Sequence, residues 1–480
     1  MLQEKYNFYI SGGWTVPLDG RTLEVIDPST EEAYAVISLG GQADTDAAVA
    51  AARAAFDGWA YSDPRDRLAI VKRILEIYNA RAEDMAQAIS REMGAPIDYA
   101  RRSQVTAGSG HIGNFIKAFE KVEFVARLGD HAPDDRIIRE AVGVCALITP
   151  WNWPMNQVTL KTIPALLAGC TMVLKPSEIA PMSSLLFAEI LHEAGVPAGV
   201  FNLVNGDGAG VGSQLSSHPD VDMVSFTGST RAGIAISKAA ADTLKRVHLE
   251  LGGKGANIVF ADADDAAVRR GARQCFNNAG QSCNAPTRML VQRDVYERAV
   301  ETAREVAAAT RVGHSNESGK HIGPVVSAAQ YDKIQGLIQK GMDEGARLVA
   351  GGLGRPEGLN RGYFVRPTIF ADVSNDMTIA REEIFGPVLA IIPFSDEAEA
   401  LAIANDTVYG LTNYVQSQDD AKRQRLARRL RSGMVEMNGK SRGAGSPFGG
   451  MKQSGNGREG GVWGIEDFLE VKAVSGWGAD

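Results

Sequence analysis

Short apolar runs alternate with helix-like segments along most of the chain. From about residue 141 the runs AVGVCALI, TMVLKP, GVFNLVNG, DMVSFTGS, RVHLELGG and ANIVFAD are separated by SSLLFAEILHEAG, VGSQLSSH and TRAGIAISKAAADTLK. Fully apolar strands between helices predict a mainly parallel sheet covered on both faces, of the Rossmann kind. The pattern resumes from about 260 to 440 with RMLVQ, ARLVAGG, FVRPTIFADV, VLAIIPF and GLTNYVQS, which predicts a second α/β domain of similar size. Ahead of both, residues 43–95 carry helical periodicity. ADTDAAVAAARAAFDGW starts with Asp44 as a candidate N-cap, and PRDRLAIVKRILEIYNARAEDMAQAISREMG breaks at Gly94. EFVARLGDHAPDDRIIREAVG reads as a polar β-hairpin and the tail FLEVKAVSGWG as one more strand, which invites pairing within the chain or with another copy.

Composition narrows the picture. A length of 480 residues suffices for two or three domains, and 44% hydrophobic with 22% charged residues excludes a disordered or fibrous chain. The net charge of −8 gives no basic face for nucleic acid. No apolar run approaches the ~18–20 residues of a membrane span. The start MLQEKYNFYISGGW lacks a basic region and an apolar signal core, so a soluble cytoplasmic protein is expected. Four cysteines do not describe a disulfide scaffold, and their spacing suggests no metal site. Cys145 and Cys170 lie in apolar runs and read as core, whereas Cys283 lies in the polar NNAGQSCNAPTR, where packing gives no reason for a thiol.

Several segments could carry chemistry. GDGAGVGS (206–213) and SFTGSTRAG (225–233) each follow a strand and precede a helix, a setting for phosphate or for a plain turn. KPSE ends a strand, where Glu178 could accept ribose hydroxyls beside Lys175, or Ser177 and Glu178 could be ordinary first-turn residues of the next helix. In TPWNWPMNQ, Asn152 could donate to an oxyanion or cap a helix. In LELGGKG, Glu250 could be a desolvated base or a paired structural acid, and His248, on the same strand face, reads as packing. In EEIFGPV, Glu383 could hold a second ribose with Phe385 packed on a flat ring, or the segment could be an exposed acidic turn. SPFGGMKQSGNGRE reads as a loop that shapes a pocket around Phe448.

In this order, TPWN, KPSE, SFTGST, LELGGK, GQSC, EEIFGPV, ANDTVYGL and PFGGMKQSGNGRE closely resemble the NAD(P)-dependent aldehyde dehydrogenase family, and the likeness covers essentially the whole chain. The resemblance implies an α/β fold with a Rossmann-like cofactor domain (1–120 and 142–250), a catalytic domain (251–450) and a small β-strand oligomerisation arm (121–141 and 460–480) that joins homodimers or homotetramers. It implies Cys283 as nucleophile, Asn152 with the Cys283 N–H as oxyanion hole, Glu250 as the base for water, and Glu459 as a further acid in proton relay. Lys175 is expected both in the catalytic set and, with Ser177 and Glu178, around the adenine ribose. Ile148, Thr149, Pro150, Trp151, Gly208, Gly212, Phe226, Gly228 and Ser229 would approach adenosine and pyrophosphate. Leu251, Gly252, Gln330, Lys333, Glu383 and Phe385 would complete the cofactor site, and Glu178 should repel a 2′-phosphate, favouring NAD over NADP.

The aldehyde pocket implied by the likeness keeps Trp153 and Phe448, but Gln157, Ser282 and Asn284 are polar, and Lys440 and Arg442 stand near its mouth. A polar or semialdehyde-acid substrate is one expectation, and solvated cations are the other. Among rival functions, a thiol hydrolase would need a histidine partner that the seven histidines do not offer near a motif. A CoA-acylating enzyme commonly lacks the base that Glu250 provides, and a non-catalytic binding protein would not need Cys283, Glu250 and Asn152 together.

Overall fold

A computed structural model describes residues 2–18 and 20–478. Its first large sheet has seven strands, in the order Arg246–Glu250, Met223–Thr227, Val144–Ile148, Thr171–Lys175, Phe201–Leu203, Phe8–Ile10 and Gly13–Thr15. The first five run parallel and the N-terminal hairpin adds two antiparallel strands at one edge. The inner strands are buried on both faces because successive side chains enter different cores. Cys145 and Leu147 face one, while Val144, Ala146 and Ile148 face the other.

Helices Gln42–Ala60, Pro64–Ala80 and Ala82–Met93 account for the periodic N-terminal region. Gly94 ends the last of them in the left-handed conformation, with φ 83°. Asp44 is not the N-cap. Gly41 holds that position, and the Asp44 carboxylate reaches back to the Gly41 N–H at 3.0 Å and to the Leu18 N–H at 2.8 Å. Asp63 caps the second helix through Arg65 N–H ahead of Pro64 at the first turn.

The second seven-stranded sheet runs Arg347–Ala350, Thr368–Ala371, Val388–Phe394, Arg288–Gln292, Ala256–Val259, Thr412–Gln416 and Met434–Met437, parallel except for its first strand. A separate antiparallel sheet joins Val125–Arg127, Arg136–Ala141 and the tail strand Leu469–Val474. The expected arm segment 460–480 is not all strand: Gly461–Glu466 is a helix whose Ile465 belongs to the first core. Its last residues, Ala479 and Asp480, lie outside the described residues. Among the described residues no helix is long and apolar enough to cross a membrane, and no group of three His, Cys, Asp or Glu gathers as a metal site.

Candidate active site

Cys283 sits where the two large sheets meet, on a loop held in an unusual backbone. Asn278 and Ala279 are both left-handed, with φ 54° and 55°. Side chains that can visit this region only at a cost persist there when their surroundings hold them. Here Asn278 Nδ2 donates to the Asn152 carbonyl at 3.0 Å and to the Gln281 carbonyl at 3.2 Å. Gln104 Nε2 donates to Asn278 Oδ1 at 3.1 Å, and Tyr414 Oη fixes the far side through the Asn284 carbonyl at 2.6 Å.

Asn152 leaves the first sheet just after Val144–Ile148. Pro150 and Pro154 shape the turn, and Trp153, not Asn152, is the cap position of helix Pro154–Ala168. The Asn152 amide crosses to the thiol loop instead, donating to the Gln281 carbonyl at 3.0 Å. An amide carries two N–H donors, so one remains for the space beside Cys283.

Two cavities open on that thiol. One, ≈ 220 Å³, is walled by Pro150, Trp151, Asn152, Thr227, Gly228, Ser229, Leu251, Gly252, Gln330, Lys333, Glu383 and Phe385, with Gln157 shared between it and the second cavity. The Trp151 and Phe385 rings meet edge to face, 5.5 Å apart. A Cβ at Gly252 would stand 2.4 Å from the Glu383 carboxylate, so glycine is needed there. Glu383 is no exposed acidic turn: it accepts from Gly253 N–H at 2.8 Å, and burial pushes its carboxyl up. Gln330 and Lys333 donate to backbone carbonyls of Phe385 and Glu383, each at 2.8 Å, and so brace this loop.

The other cavity, ≈ 320 Å³, contains every residue expected for a substrate pocket: Trp153, Gln157, Ser282, Asn284, Arg442 and Phe448. Trp153 Nε1 donates to Ser282 Oγ at 2.8 Å, and the Arg442 guanidinium lies 4.8 Å from the centre of the Phe448 ring while pairing with Glu436 at 3.0 Å. Lys440 is exposed and lines neither cavity. His111, Asn114 and Asn156 are lining residues that the sequence did not single out. His111 and Asn114 lie three apart on helix Val105–Phe119, a spacing that shares a face but marks no motif. Burial holds the His111 ring below its usual range.

Glu250 ends strand Arg246–Glu250, is buried, and has no hydrogen-bond partner for either carboxylate oxygen among the described residues. Burial, and then the neighbouring Glu459, push its pKa well up, as suits a base. Glu459 also lines the second cavity and pairs with buried Lys161 at 2.7 Å. Burial pushes the Cys283 thiol up as well, with Glu383, Glu250 and Glu459 adding to it.

Lys175 stands apart from the thiol. It lines neither cavity at the thiol; its ammonium is taken up by the carbonyls of Gly206 at 2.6 Å and Pro176 at 2.8 Å and by Glu178 at 3.3 Å. That places it with the strand-end residues and not with the reacting atoms. Ser177 and Glu178 are not first-turn residues, since the next helix spans Met182–Glu193. Around Lys175 stand Thr149, whose N–H meets the Lys175 carbonyl at 3.2 Å, and Gly212, where a Cβ would lie 3.8 Å from the lysine stem. Gly208 opens the tight turn Gly208–Gly212, and Ile148 and Phe226 are buried strand residues. Gly228 packs under Phe226, and Ser229 caps helix Thr230–Ala240 through Ala232 N–H.

A thiol, an amide donor and a buried carboxylate at the meeting of two parallel sheets define an enzyme site of the thiol-based α/β class. The chain matches the aldehyde dehydrogenase family model over residues 14–474. It is 51% identical over 478 residues, 99% of each chain, to a 3-succinoylsemialdehyde-pyridine dehydrogenase from a Pseudomonas species. It is 62% identical to an aldehyde dehydrogenase of Bartonella henselae whose crystal structure superposes with TM-score 0.98, over 99% of this chain and 100% of that one. A mutant of aldehyde dehydrogenase C from Pseudomonas syringae, solved with NAD+ and octanal, superposes with TM-score 0.97 at 49% identity, over 99% and 98%. The chain belongs to the aldehyde dehydrogenase family.

Proposed function

We propose that this chain oxidises an aldehyde to its acid with NAD+, through a thioester on Cys283. The observation that carries the reading is the position of Cys283 where both cavities meet, one walled by residues expected for the cofactor and one by those expected for the aldehyde. The first cavity suits a nicotinamide: flat rings at Trp151 and Phe385, glycines where a Cβ would collide, and a buried Thr227 hydroxyl with no partner among the described residues. Bound there, NAD+ supplies a hydride acceptor. Lys175 and Glu178 would hold the adenine ribose, Glu383 the other.

The Cys283 thiol gives its proton to water in the cavity as its sulfur attacks the carbonyl carbon, and the oxyanion accepts from the free Asn152 N–H and the Cys283 backbone N–H. After hydride loss the thioester is hydrolysed by water whose proton goes to Glu250. In this reading 1–120 and 142–250 hold the cofactor, 251–450 the thiol, and 121–141 with most of 460–480 join copies into dimers or tetramers. Four free cysteines suit a reducing, cytoplasmic setting. The polar lining and Arg442 support a polar aldehyde, such as a semialdehyde acid, as substrate.

The test is reduction of NAD+ with aliphatic, aromatic and semialdehyde-acid substrates, in the absence of CoA. Turnover that is lost in Cys283→Ala and falls about 10²–10³-fold in Asn152→Ala is expected. Turnover that survives Cys283→Ala would overturn the mechanism. An unchanged kcat/KM for a semialdehyde acid in Arg442→Ala would remove the substrate assignment alone.

A further inference from the structure

Behind Glu250 a line of buried ionisable groups leads to the surface. His248 precedes it by two positions on the same strand, so both side chains project from one face. The ring is 4% exposed, and its Nδ1 is hydrogen-bonded to Asp467 Oδ2. With a carboxylate as acceptor, Nδ1 carries the hydrogen and Nε2 is left as the lone-pair nitrogen. Nε2 has no hydrogen-bond partner among the described residues, and it lies 3.9 Å from Glu459 Oε1. Space for the ring depends on glycine at 457, where a Cβ would stand 2.2 Å from Nε2.

We propose that His248, braced by Asp467, carries the proton of the hydrolytic water from Glu459 outward to solvent. The proposal rests on Glu250 being the base of the reading above. The O–H bond of water breaks as its oxygen joins the thioester carbon, and the proton passes to Glu250, then through bridging water to Glu459 and on to His248 Nε2, because neither Glu250 oxygen has a hydrogen-bond partner among the described residues and Nε2 stands 3.9 Å from Glu459 Oε1. The imidazolium releases a proton at its Nδ1 side through Asp467, and the ring regains its first tautomer between turnovers. Asp467 is the outlet because its side chain is 35% exposed, against 4% for His248 and 2% for Glu459. Burial raises the Asp467 carboxyl, but the hydrogen bond from His248 leads the causes that hold it low on balance, so it stays an acceptor.

The charged groups around the ring are few. Arg246 and Glu250 come from its own strand, and Arg246 is engaged by Glu470 at 2.6 Å. Ser225 stands beside His248 in register on the neighbouring strand and accepts from Lys161 at 3.1 Å. Lys161, from helix Pro154–Ala168, pairs with Glu459. Arg458 is engaged by the Gly450 and Gly457 carbonyls, each at 2.6 Å. Asp467 is thus the carboxylate on the outer side of the ring and Glu459 the one on the inner side.

The experiment uses 4-nitrophenyl acetate, which acylates the thiol without cofactor and so separates a nitrophenolate burst from the slower deacylation. His248→Gln and Asp467→Asn are expected to keep the burst, slow deacylation about tenfold, and flatten its pH profile, with added imidazole restoring part of the rate. Unchanged deacylation in His248→Gln overturns the proposal. So does a burst that falls in parallel with deacylation, because the ring would then only pack the site. Failure of the underlying reading looks different: deacylation in Glu250→Gln would match that of the unsubstituted protein.

Discussion

Cys283 faces open space, yet it rests as a thiol, and this follows from what surrounds it. Burial raises its pKa, and three carboxyl groups raise it further against the pull of Arg442. While pH lies below the pKa, thiolate grows about tenfold per pH unit. Alkylation by iodoacetamide should therefore climb from pH 7 to 10 without levelling. A plateau near pH 8.5, where an unperturbed thiol titrates, would show that the neighbouring acids do not act on it. The other cysteines are buried and should react only on unfolding. The motif residues of this site were legible because each stands in a short run with a turn or strand end that packing alone does not require. Lys161 was not legible: its partner Glu459 is 298 positions away, and a lysine inside an apolar helix carries no local sign of its pairing. His248 reads as packing in the sequence for the same reason, since Asp467 lies 219 positions on.

Strands and helices were easier to foresee than their joints. The apolar runs became strands because both faces are covered, but the cap of helix Gln42–Ala60 was misplaced, since Gly41 shows no side-chain signal. The start of helix Met182–Glu193 was hidden for a related reason. Its cap comes from another helix: Glu92, on Ala82–Met93, accepts from Met182 N–H at 2.6 Å and from Ser183 N–H at 3.2 Å. Burial raises the Glu92 carboxyl to about 7 despite these bonds. Between the ordinary carboxyl range and pH 7 the folded chain then holds a proton that the unfolded chain has lost. Stability should fall as pH rises across that window, by up to about 3 kcal/mol. Urea unfolding at pH 5 and pH 7 would measure this slope, and Glu92→Gln should abolish it. A slope unchanged in the variant would assign it to another group.

At the scale of the whole molecule the two sheets divide the work and the site exists only where they meet: Asn152 and Glu250 come from the first, Cys283 from the approach to the second. Such a joint shows in a sequence as motifs far apart, while their convergence does not. The small sheet of Val125–Arg127, Arg136–Ala141 and Leu469–Val474 poses a separate problem. Three strands with little burial on either face are marginal alone, and here Val125 and Val471 are 51% and 68% exposed. The tail strand also leaves one edge of that sheet open. A second copy covering this surface would resolve both, which is the reason to assign the arm to assembly. Deleting residues 470–480 removes five of the six tail residues paired with Arg136–Ala141 and leaves Leu469 in its core. Light scattering should then report a smaller species than the full chain gives, with a lower melting temperature. An unchanged mass would mean that copies meet elsewhere, or that the arm serves the folding of a single chain.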